Sequence, residues 1–499
     1  MTRGIIATPH YLASEAGAAV LRMGGNAVDA AVAADAVLCV VYPHMTAIGG
    51  DLFALVWPPG GAAPVGLAGA GRAGSLATVG AVRDAGHETM PQRGGMAVTV
   101  PGTVEAWGRL VERFGSLGME PLVEAAAGLA RDGFPVTEEL ATHLAANADW
   151  LLREAEAARL LPPLKAGMVL RNPELADTLE DFGRNGFHGF YRGATAAAIV
   201  SAVRRRGGFL TAEDLAGHRS EWVEPVAFAY RDLTVYEMPP PTQGLCAAGM
   251  LRRFERLPRG RFEPGLDFAR ELARIRDEVY PLRDRYIGDP AFAAVPVEPF
   301  LDPDHVAAGG AAVVPDGDTI YLAAADEHGT VVSLIQSLAE AFGSGVVAEG
   351  TGVLLQNRGV YFNLDPGHVN HLEPRKRTMH TLIPAMAARA GRCWASFGTM
   401  GGDGQPQLQA QVFLNLVERD LDPPEAVAAP RVRVPPGGAG LAVEADYPEA
   451  GLIARTVPGG HLLPPRSHSM GHAAALVVDG PARWRAGADP RSDGSIEEV

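Results

Sequence analysis

The sequence predicts a large α/β or α+β enzyme in which layers of helices enclose two stacked sheets. Apolar residues recur at helical spacing through much of the first part of the chain, whereas strand patterns dominate after residue 318. Several apolar runs are too long for strands with one solvent-exposed face, which favours covered, stacked layers. The chain has 499 residues, of which 47% are hydrophobic and 20% charged, so it can bury a deep core and is neither disordered nor fibrous.

The first elements are two helices within residues 12–41, followed by a strand. Gly24-Gly25 ends the first helical pattern. Residues 27–39 are mostly small and apolar, which predicts a helix that packs on both sides. From Asp51 the run Leu-Phe-Ala-Leu-Val-Trp predicts a strand.

A mostly helical stretch is predicted over residues 104–289 and a strand-rich region after residue 318. Thr211 and Asp214 form a capping box that begins one of the helices. Residues 319–325 and 330–337 predict two strands joined by the turn 326–329, which ends in glycine.

Charge and cysteine content exclude several classes of protein. A formal net charge of −15 repels phosphates, so we expect no nucleic-acid partner. Cys39, Cys246 and Cys393 are far apart and show neither a CxxC motif nor a histidine spacing that would hold zinc. They are predicted to be buried, reduced thiols.

The N-terminal segment does not have the pattern of a signal peptide. It carries one arginine and a short apolar patch interrupted by Pro9 and His10. The longest apolar stretch, residues 30–41, contains Asp35 and is too short to span a bilayer. The sequence therefore predicts a soluble, cytoplasmic protein with no membrane partner.

The common catalytic motifs are absent. Neither Gly343-Ser344-Gly345 nor Gly115-Ser116 has the GxSxG spacing of a nucleophile elbow, and GxxxxGK[ST] is missing. The histidines show no HExxH motif and no paired spacing on one helix, so we expect no metal site and no cofactor. The histidines considered are His44, His328, His368, His371 and His380.

Thr319 is the candidate nucleophile. It follows a Pro315-Asp-Gly turn and opens a buried strand. If the chain were cut before Thr319, the residue would gain a free α-amine that could act as base for its own hydroxyl. Two glycine pairs, Gly49-Gly50 and Gly401-Gly402, predict tight turns, and such turns also let backbone N–H groups approach a substrate oxygen.

A series of short blocks in the same order gives a stronger signal than any single motif. The blocks are residues 12–17, 22–31, 43–44, 48–50, 100–103, 130–134, 238–241, 342–346, 352–355 and 400–402. Together they resemble the γ-glutamyltransferase family over nearly the whole chain. The resemblance implies an N-terminal-nucleophile hydrolase with a four-layer αββα sandwich. It also implies a precursor that cleaves itself at Asp318–Thr319 into a large subunit, 1–318, and a small subunit, 319–499, which remain one compact domain.

The resemblance also implies roles for individual residues. Thr319 matches the nucleophile, and Ser337 matches a second threonine that hydrogen-bonds the nucleophile's amine. Gly401 and Gly402 match the glycine pair whose N–H groups form the oxyanion hole. Arg72 matches the arginine that binds the α-carboxylate of a glutamyl donor, a task that suits a bidentate guanidinium.

Several positions depart from the true transpeptidases. Ala339 replaces an asparagine, and His380-Thr381 replaces a serine pair. Arg358 and Tyr361 stand where a glutamine and an aspartate hold the donor's α-ammonium. Like charges about 4 Å apart repel by one to several kcal/mol, so Arg358 disfavours that ammonium. These changes resemble the branch with cephalosporin acylases and oxamate amidohydrolases.

Three functions remain open at this point. The first is an amide hydrolase for small carboxylate-bearing amides, such as oxamate or glutaryl amides. The second is a γ-glutamyl hydrolase or transpeptidase acting on glutathione-type donors, and the third is an inactive scaffold relative. The partners expected are the amide substrate and the two fragments of one precursor, and two processed units could pair as a homodimer. If Arg72 and Arg358 both line the pocket, they present two guanidinium groups for which the family pattern offers no acidic partner. The alternative is that Arg358 faces solvent or pairs with a carboxylate such as Glu340 or Asp365.

Overall fold

Helices and strands follow one another in groups along the chain. The structure is a computed structural model that describes residues 3–306, 314, 317–438 and 440–499. Residues 315 and 316 of the predicted Pro-Asp-Gly turn lie outside the described residues. The strands are β1 Gly4–Thr8, β2 Asp51–Trp57, β3 Val65–Gly69, β4 Phe134–Pro135, β5 Val169–Leu170, β6 Glu221–Val223, β7 Val226–Tyr230, β8 Leu233–Glu237, β9 Asp318–Asp326, β10 Val331–Ala339, β11 Val347–Ala348, β12 Val353–Leu354, β13 Ala385–Arg389, β14 Arg392–Thr399, β15 Val432–Arg433, β16 Ala442–Glu444, β17 His461–Leu463, β18 Ala473–Gly480, β19 Arg483–Ala488 and β20 Ser495–Glu498.

The α-helices lie mainly in the first three fifths of the chain. They are α1 Tyr11–Arg22, α2 Ala27–Val41, α3 Val79–Asp84, α4 Thr103–Phe114, α5 Met119–Asp132, α6 Glu138–Leu151, α7 Ala155–Leu160, α8 Pro173–Asn185, α9 Phe187–Arg192, α10 Ala194–Arg205, α11 Ala212–Ala216, α12 Gly244–Phe254, α13 Leu266–Tyr286, α14 Glu298–Leu301, α15 Gln405–Val417, α16 Pro423–Ala428 and α17 Ala450–Thr456. Among the described residues, none of these helices combines the length and the apolarity needed to cross a membrane.

Two large antiparallel sheets form the centre of the fold. The first has the strand order β20-β1-β9-β10-β2-β3-β6, and the second β19-β18-β14-β13-β8-β7. Both sheets mix strands that precede residue 319 with strands that follow it. A cut at Asp318–Thr319 would therefore leave two fragments joined by ladder hydrogen bonds in both sheets.

Three apolar clusters separate four layers. Helices α1, α2, α4 and α5 pack on the outer face of the first sheet, and α12, α13 and α15 pack on the outer face of the second. The inner faces of the two sheets meet in a third cluster. Along β9, Leu322 points to the helices and Ala323 to the other sheet, which explains why apolar residues run without alternation. The predicted αββα sandwich is confirmed.

Most of the predicted elements are present, with one group of strands missed. Helix α2 is buried along its whole length, as its small residues predict, and Thr211 and Asp214 form the predicted capping box. The stretch 104–289 also contains the strands β4 to β8, of which β6 is an edge of the first sheet and β7 and β8 form one edge of the second. Strand β7 has only five residues and buries only alternate ones, so its sequence pattern is a weak strand signal between two helical regions. Cys39 and Cys246 are buried free thiols, whereas Cys393 is only partly buried.

Candidate active site

Thr319 lies at the start of β9, opposite a bulge in β10. Asp318 pairs with Ala339 and Ile320 with Gln336, so two residues of β10 face Thr319 alone. The Thr319 side chain is buried, and its Oγ1 has no hydrogen-bond partner among the described residues. The candidate nucleophile is therefore a buried hydroxyl that makes no hydrogen bond to any described residue.

Ser337 lies in this bulge and contacts the peptide bond before Thr319. Its hydroxyl donates a hydrogen bond to the carbonyl oxygen of Asp318 at 2.6 Å and accepts one from the N–H of Ala339 at 2.7 Å. Ala339 has a φ of +81°, which is unusual for a non-glycine residue and belongs to the bulge. In the uncut chain Ser337 therefore polarises the carbonyl of Asp318, the residue before Thr319.

The glycine pair lies beside the same segment. Gly401 and Gly402 have φ values of +128° and +49°, in a region that favours glycine. A methyl group on Gly317 would come within 3.4 Å of the Cα of Gly402, so the chain two residues before Thr319 passes this turn. Gln243 fixes the turn, because its Nε2 donates to the carbonyl of Gly402 at 2.8 Å and to that of Thr381 at 3.3 Å.

Arg358 and Thr381 form a buried polar group with Asp51. The Nη1 of Arg358 donates to Thr381 Oγ1 at 3.0 Å, and its Nε lies 3.7 Å from Asp51 Oδ2. Asp51 is also paired directly with Ser337 between β2 and β10. Burial raises the pKa of Asp51 to about 7, although Arg358 opposes that rise.

His380 contacts the same carboxylate in its neutral form. Its Nδ1 accepts a hydrogen bond from the N–H of Leu382, so the other ring nitrogen, Nε2, carries the proton and faces Asp51 Oδ2 at 3.3 Å. Burial, together with Arg358, holds the pKa of His380 well below its usual value. His380 therefore faces the Asp51 carboxyl group as a neutral hydrogen-bond donor.

Arg72 is engaged in a different network. Its guanidinium contacts Asp289 and Glu221, each at 3.1 Å, and Arg377 contacts both of the same carboxylates. The prediction that Arg72 and Arg358 lack acidic partners is wrong. The residues that neutralise them come from distant parts of the chain, and sequence spacing does not reveal such contacts.

Tyr361 lies beside Gly317 and lines a cavity. Its hydroxyl lies within 3.0 Å of the Cβ position of Gly317, and Arg358 lies over its ring at 5.1 Å. A cavity of about 580 Å³ is lined by Tyr361 and by Val314, and a volume of that size suits a small molecule. Sequence reasoning missed Gln243 and the role of Asp51, although Asp51 directly follows the glycine pair Gly49-Gly50.

Comparisons with known proteins identify relatives that match nearly the whole chain. The family model described as Gamma-glutamyltranspeptidase matches residues 13–499. The chain is 38% identical to the "Glutathione hydrolase-like YwrD proenzyme" of Bacillus subtilis (strain 168), covering 99% of this chain and 98% of that protein. It is 36% identical to the "Oxamate amidohydrolase proenzyme" of Klebsiella pneumoniae, with the same coverage of both. The solved structure of a cephalosporin acylase from Bacillus halodurans superposes with a TM-score of 0.91 at 35% identity, covering 99% of this chain and 96% of that one.

The family model covers almost the whole chain, and the relatives match it from end to end. The four-layer fold of the structure is that of the cephalosporin acylase. The chain therefore belongs to the gamma-glutamyltranspeptidase family and is an amide hydrolase or transpeptidase.

Proposed function

We propose that the protein is a self-processing amide hydrolase that uses Thr319 as an N-terminal nucleophile on small carboxylate-bearing amides. The observation that carries the proposal is the buried Thr319 hydroxyl next to a carbonyl that already accepts a hydrogen bond from Ser337. The relatives named as proenzymes, among them an oxamate amidohydrolase, support a processed enzyme of this class.

Processing begins with attack of Thr319 Oγ1 on the carbonyl carbon of Asp318. The C–N bond of that peptide then breaks, the proton of the hydroxyl passes to the nitrogen, and an ester links Asp318 to Thr319 Oγ1. Water hydrolyses the ester, which leaves a carboxylate on Asp318 and a free α-amine on Thr319. Ser337 stabilises the oxyanion because its hydroxyl already donates to the Asp318 carbonyl oxygen.

Ser337→Ala is expected to slow this cleavage by about 100-fold, the lower end of the range for losing one preorganised oxyanion donor. The measurement is the fraction of full-length chain over time, by intact-mass spectrometry. Ser337→Thr is the matched control, since it keeps the hydroxyl and should still cleave. Cleavage of Ser337→Ala at the wild-type rate would remove Ser337 from the processing step.

Turnover uses the same groups on a substrate amide. The free α-amine of Thr319 takes the proton of its hydroxyl, the hydroxyl oxygen attacks the amide carbon, and the N–H groups at Gly401 and Gly402 hold the oxyanion. The substrate amine leaves with that proton, and water releases the acid from the ester. No step requires a metal or cofactor, so EDTA should leave the turnover of processed enzyme unchanged. A loss of activity that zinc restores would contradict this mechanism.

Substrate choice is assigned to Arg358, with Tyr361, His380 and Thr381 around it. The guanidinium has five N–H donors, and its Nε lies too far from Asp51 for a hydrogen bond, so donors remain for a substrate carboxylate. Arg72 keeps its proposed role only if a substrate carboxylate competes with Asp289 and Glu221 for its guanidinium.

Arg358→Gln is expected to weaken the use of a carboxylate-bearing amide by about 10- to 100-fold, because a charge-assisted hydrogen bond contributes about 1.5–3 kcal/mol. The same change should improve turnover of γ-glutamyl-p-nitroanilide, whose ammonium no longer meets a guanidinium. The measurement is kcat/KM on glutaryl- and γ-glutamyl-p-nitroanilide. The control is the double variant Arg358→Gln/Asp51→Asn, because Arg358→Gln alone leaves the buried Asp51 carboxylate without its cationic partner. An unchanged ratio between the two substrates would exclude Arg358 from specificity.

A γ-glutamyl hydrolase is the second candidate, because one relative is named glutathione hydrolase-like. Ammonia release from oxamate, compared with glutamate release from glutathione, separates the two. Oxamate or glutaryl amides should be the better substrates. Clear preference for glutathione would replace the first assignment with the second.

A further inference from the structure

Four histidines form a cluster with the carboxylates of Glu139 and Asp318. Glu139 and His143 lie one turn apart on α6, and His468 and His472 precede β18. His44 follows the end of α2, and its ring lies against that of His143 with centroids 4.5 Å apart and a tilt of 30°. The rings of His143 and His468, and of His468 and His472, are separated by 4.6 and 4.7 Å.

Two ring nitrogens of this cluster converge on one carboxylate oxygen. Glu139 Oε1 lies 3.2 Å from His143 Nε2 and 2.6 Å from His468 Nδ1. The ligand atoms of Glu139, His468 and His472 all lie within 4.8 Å of one another, and so do those of His44, Glu139 and His143. Ligand atoms bonded at about 2.0–2.2 Å around a tetrahedral zinc ion lie about 3.3–3.6 Å apart, so the side chains of one group would move closer together to complete the shell.

Two buried histidines have no hydrogen-bond partner in the part of the chain that the structure describes. Both ring nitrogens of His44 and both of His472 are unsatisfied, and the two side chains are 0% and 3% exposed. Buried polar atoms without partners cost free energy, and such groups in a folded protein call for an explanation. A cation at Glu139 would satisfy a nitrogen of His472 directly.

We propose that Glu139, His468 and His472 bind a zinc-class divalent cation, with Asp318 as the carboxylate behind His468 and His143 beside Glu139. Two imidazoles and one carboxylate are a ligand set that zinc accepts, and they leave the fourth tetrahedral position open. Calcium and magnesium prefer shells of oxygen ligands and fit this set poorly. Glu139, His143 and His468 are partly exposed, which leaves the cation a route from solvent.

Asp318 couples this site to the processing bond. If His468 binds the metal through Nδ1, its Nε2 still donates to Asp318 Oδ1, which lies 3.1 Å away. A metal-bound histidine that donates to a carboxylate is a common outer-shell arrangement. The ion would therefore hold Asp318 in place in the uncut chain, and it would bridge residues on both sides of the Asp318–Thr319 bond.

The test is a zinc titration by calorimetry of untagged Thr319→Ala, which lacks the nucleophile, so the result is independent of the proposed hydrolysis. We expect one zinc ion per chain and, with cobalt as substitute, the visible absorption of tetrahedral Co²⁺. Asp318→Asn in this background should weaken zinc binding by about 10- to 100-fold, as outer-shell changes do, and His468→Gln or Glu139→Gln by more.

His461→Gln is the matched control, because His461 is exposed on β17 and outside the cluster. It should bind zinc as the parent does. Thermal unfolding without metal shows whether each variant folds, and the partly exposed Glu139 and His468 provide two variants with little buried surface to lose. The proposal would be overturned if the folded cluster variants bound zinc as tightly as His461→Gln does. Full displacement of zinc by excess magnesium would also overturn it. Unchanged binding by Asp318→Asn would overturn the coupling to the processing bond.

Discussion

Thr319→Ala is expected to remain a single 499-residue chain, whereas the wild type separates into fragments 1–318 and 319–499 on a denaturing gel. Without the hydroxyl, neither the attack on Asp318 nor the attack on a substrate amide can occur. Loss of a nucleophile in other hydrolases lowers kcat by up to about 10⁶-fold, and we expect a fall of roughly 10⁴- to 10⁶-fold here. Intact mass, N-terminal sequencing of the smaller fragment and amide turnover measure the two effects.

Thr319→Ser is the control for this experiment. Serine keeps both the hydroxyl and, after cleavage, the neighbouring α-amine, so it should still process and retain part of the activity. The nucleophile assignment is wrong if wild-type protein stays uncut and yet hydrolyses amides, or if Thr319→Ala is cut at the same bond.

Gly401→Ala is expected to lower kcat by about 10²- to 10³-fold, the cost of losing a backbone oxyanion donor. At a φ of +128° an L-residue is strained, and the added methyl would lie 2.7 Å from a methyl carbon of Leu408. The Leu408 side chain can move aside, but the strained φ remains, so we expect the turn to shift and carry its N–H groups away from the oxyanion. Kinetics on the processed enzyme measure kcat and KM separately, and the fall should appear mainly in kcat.

Gly391→Ala is the matched control for the glycine pair. Gly391 also has a positive φ, +74°, but no atom lies within 4 Å of its Cβ position, and it is at the turn between β13 and β14. It should lose stability by about 1 kcal/mol without a comparable fall in kcat. A kcat for Gly401→Ala within about threefold of that of Gly391→Ala would remove the glycine pair from the oxyanion role.

The sequence alone was sufficient for much of the fold. Helix α2 and the pair β9 and β10 follow from local sequence patterns. A helix of small apolar residues packs on both sides, and a strand of uninterrupted apolar residues is buried on both faces. The ordered blocks along the chain were enough to indicate the family, and the candidate nucleophile Thr319 came with them. These properties depend on residues that are near one another in sequence.

The partners of the charged side chains were decided by the tertiary structure. Arg358 meets Asp51 across more than 300 residues, and Arg72 meets Glu221 and Asp289, although the sequence predicted unpaired guanidinium groups. The histidine cluster around Glu139 was missed for the same reason, since its members come from separate parts of the chain. Contacts of this kind depend on how the sheets and helices pack, and local sequence patterns do not contain that information.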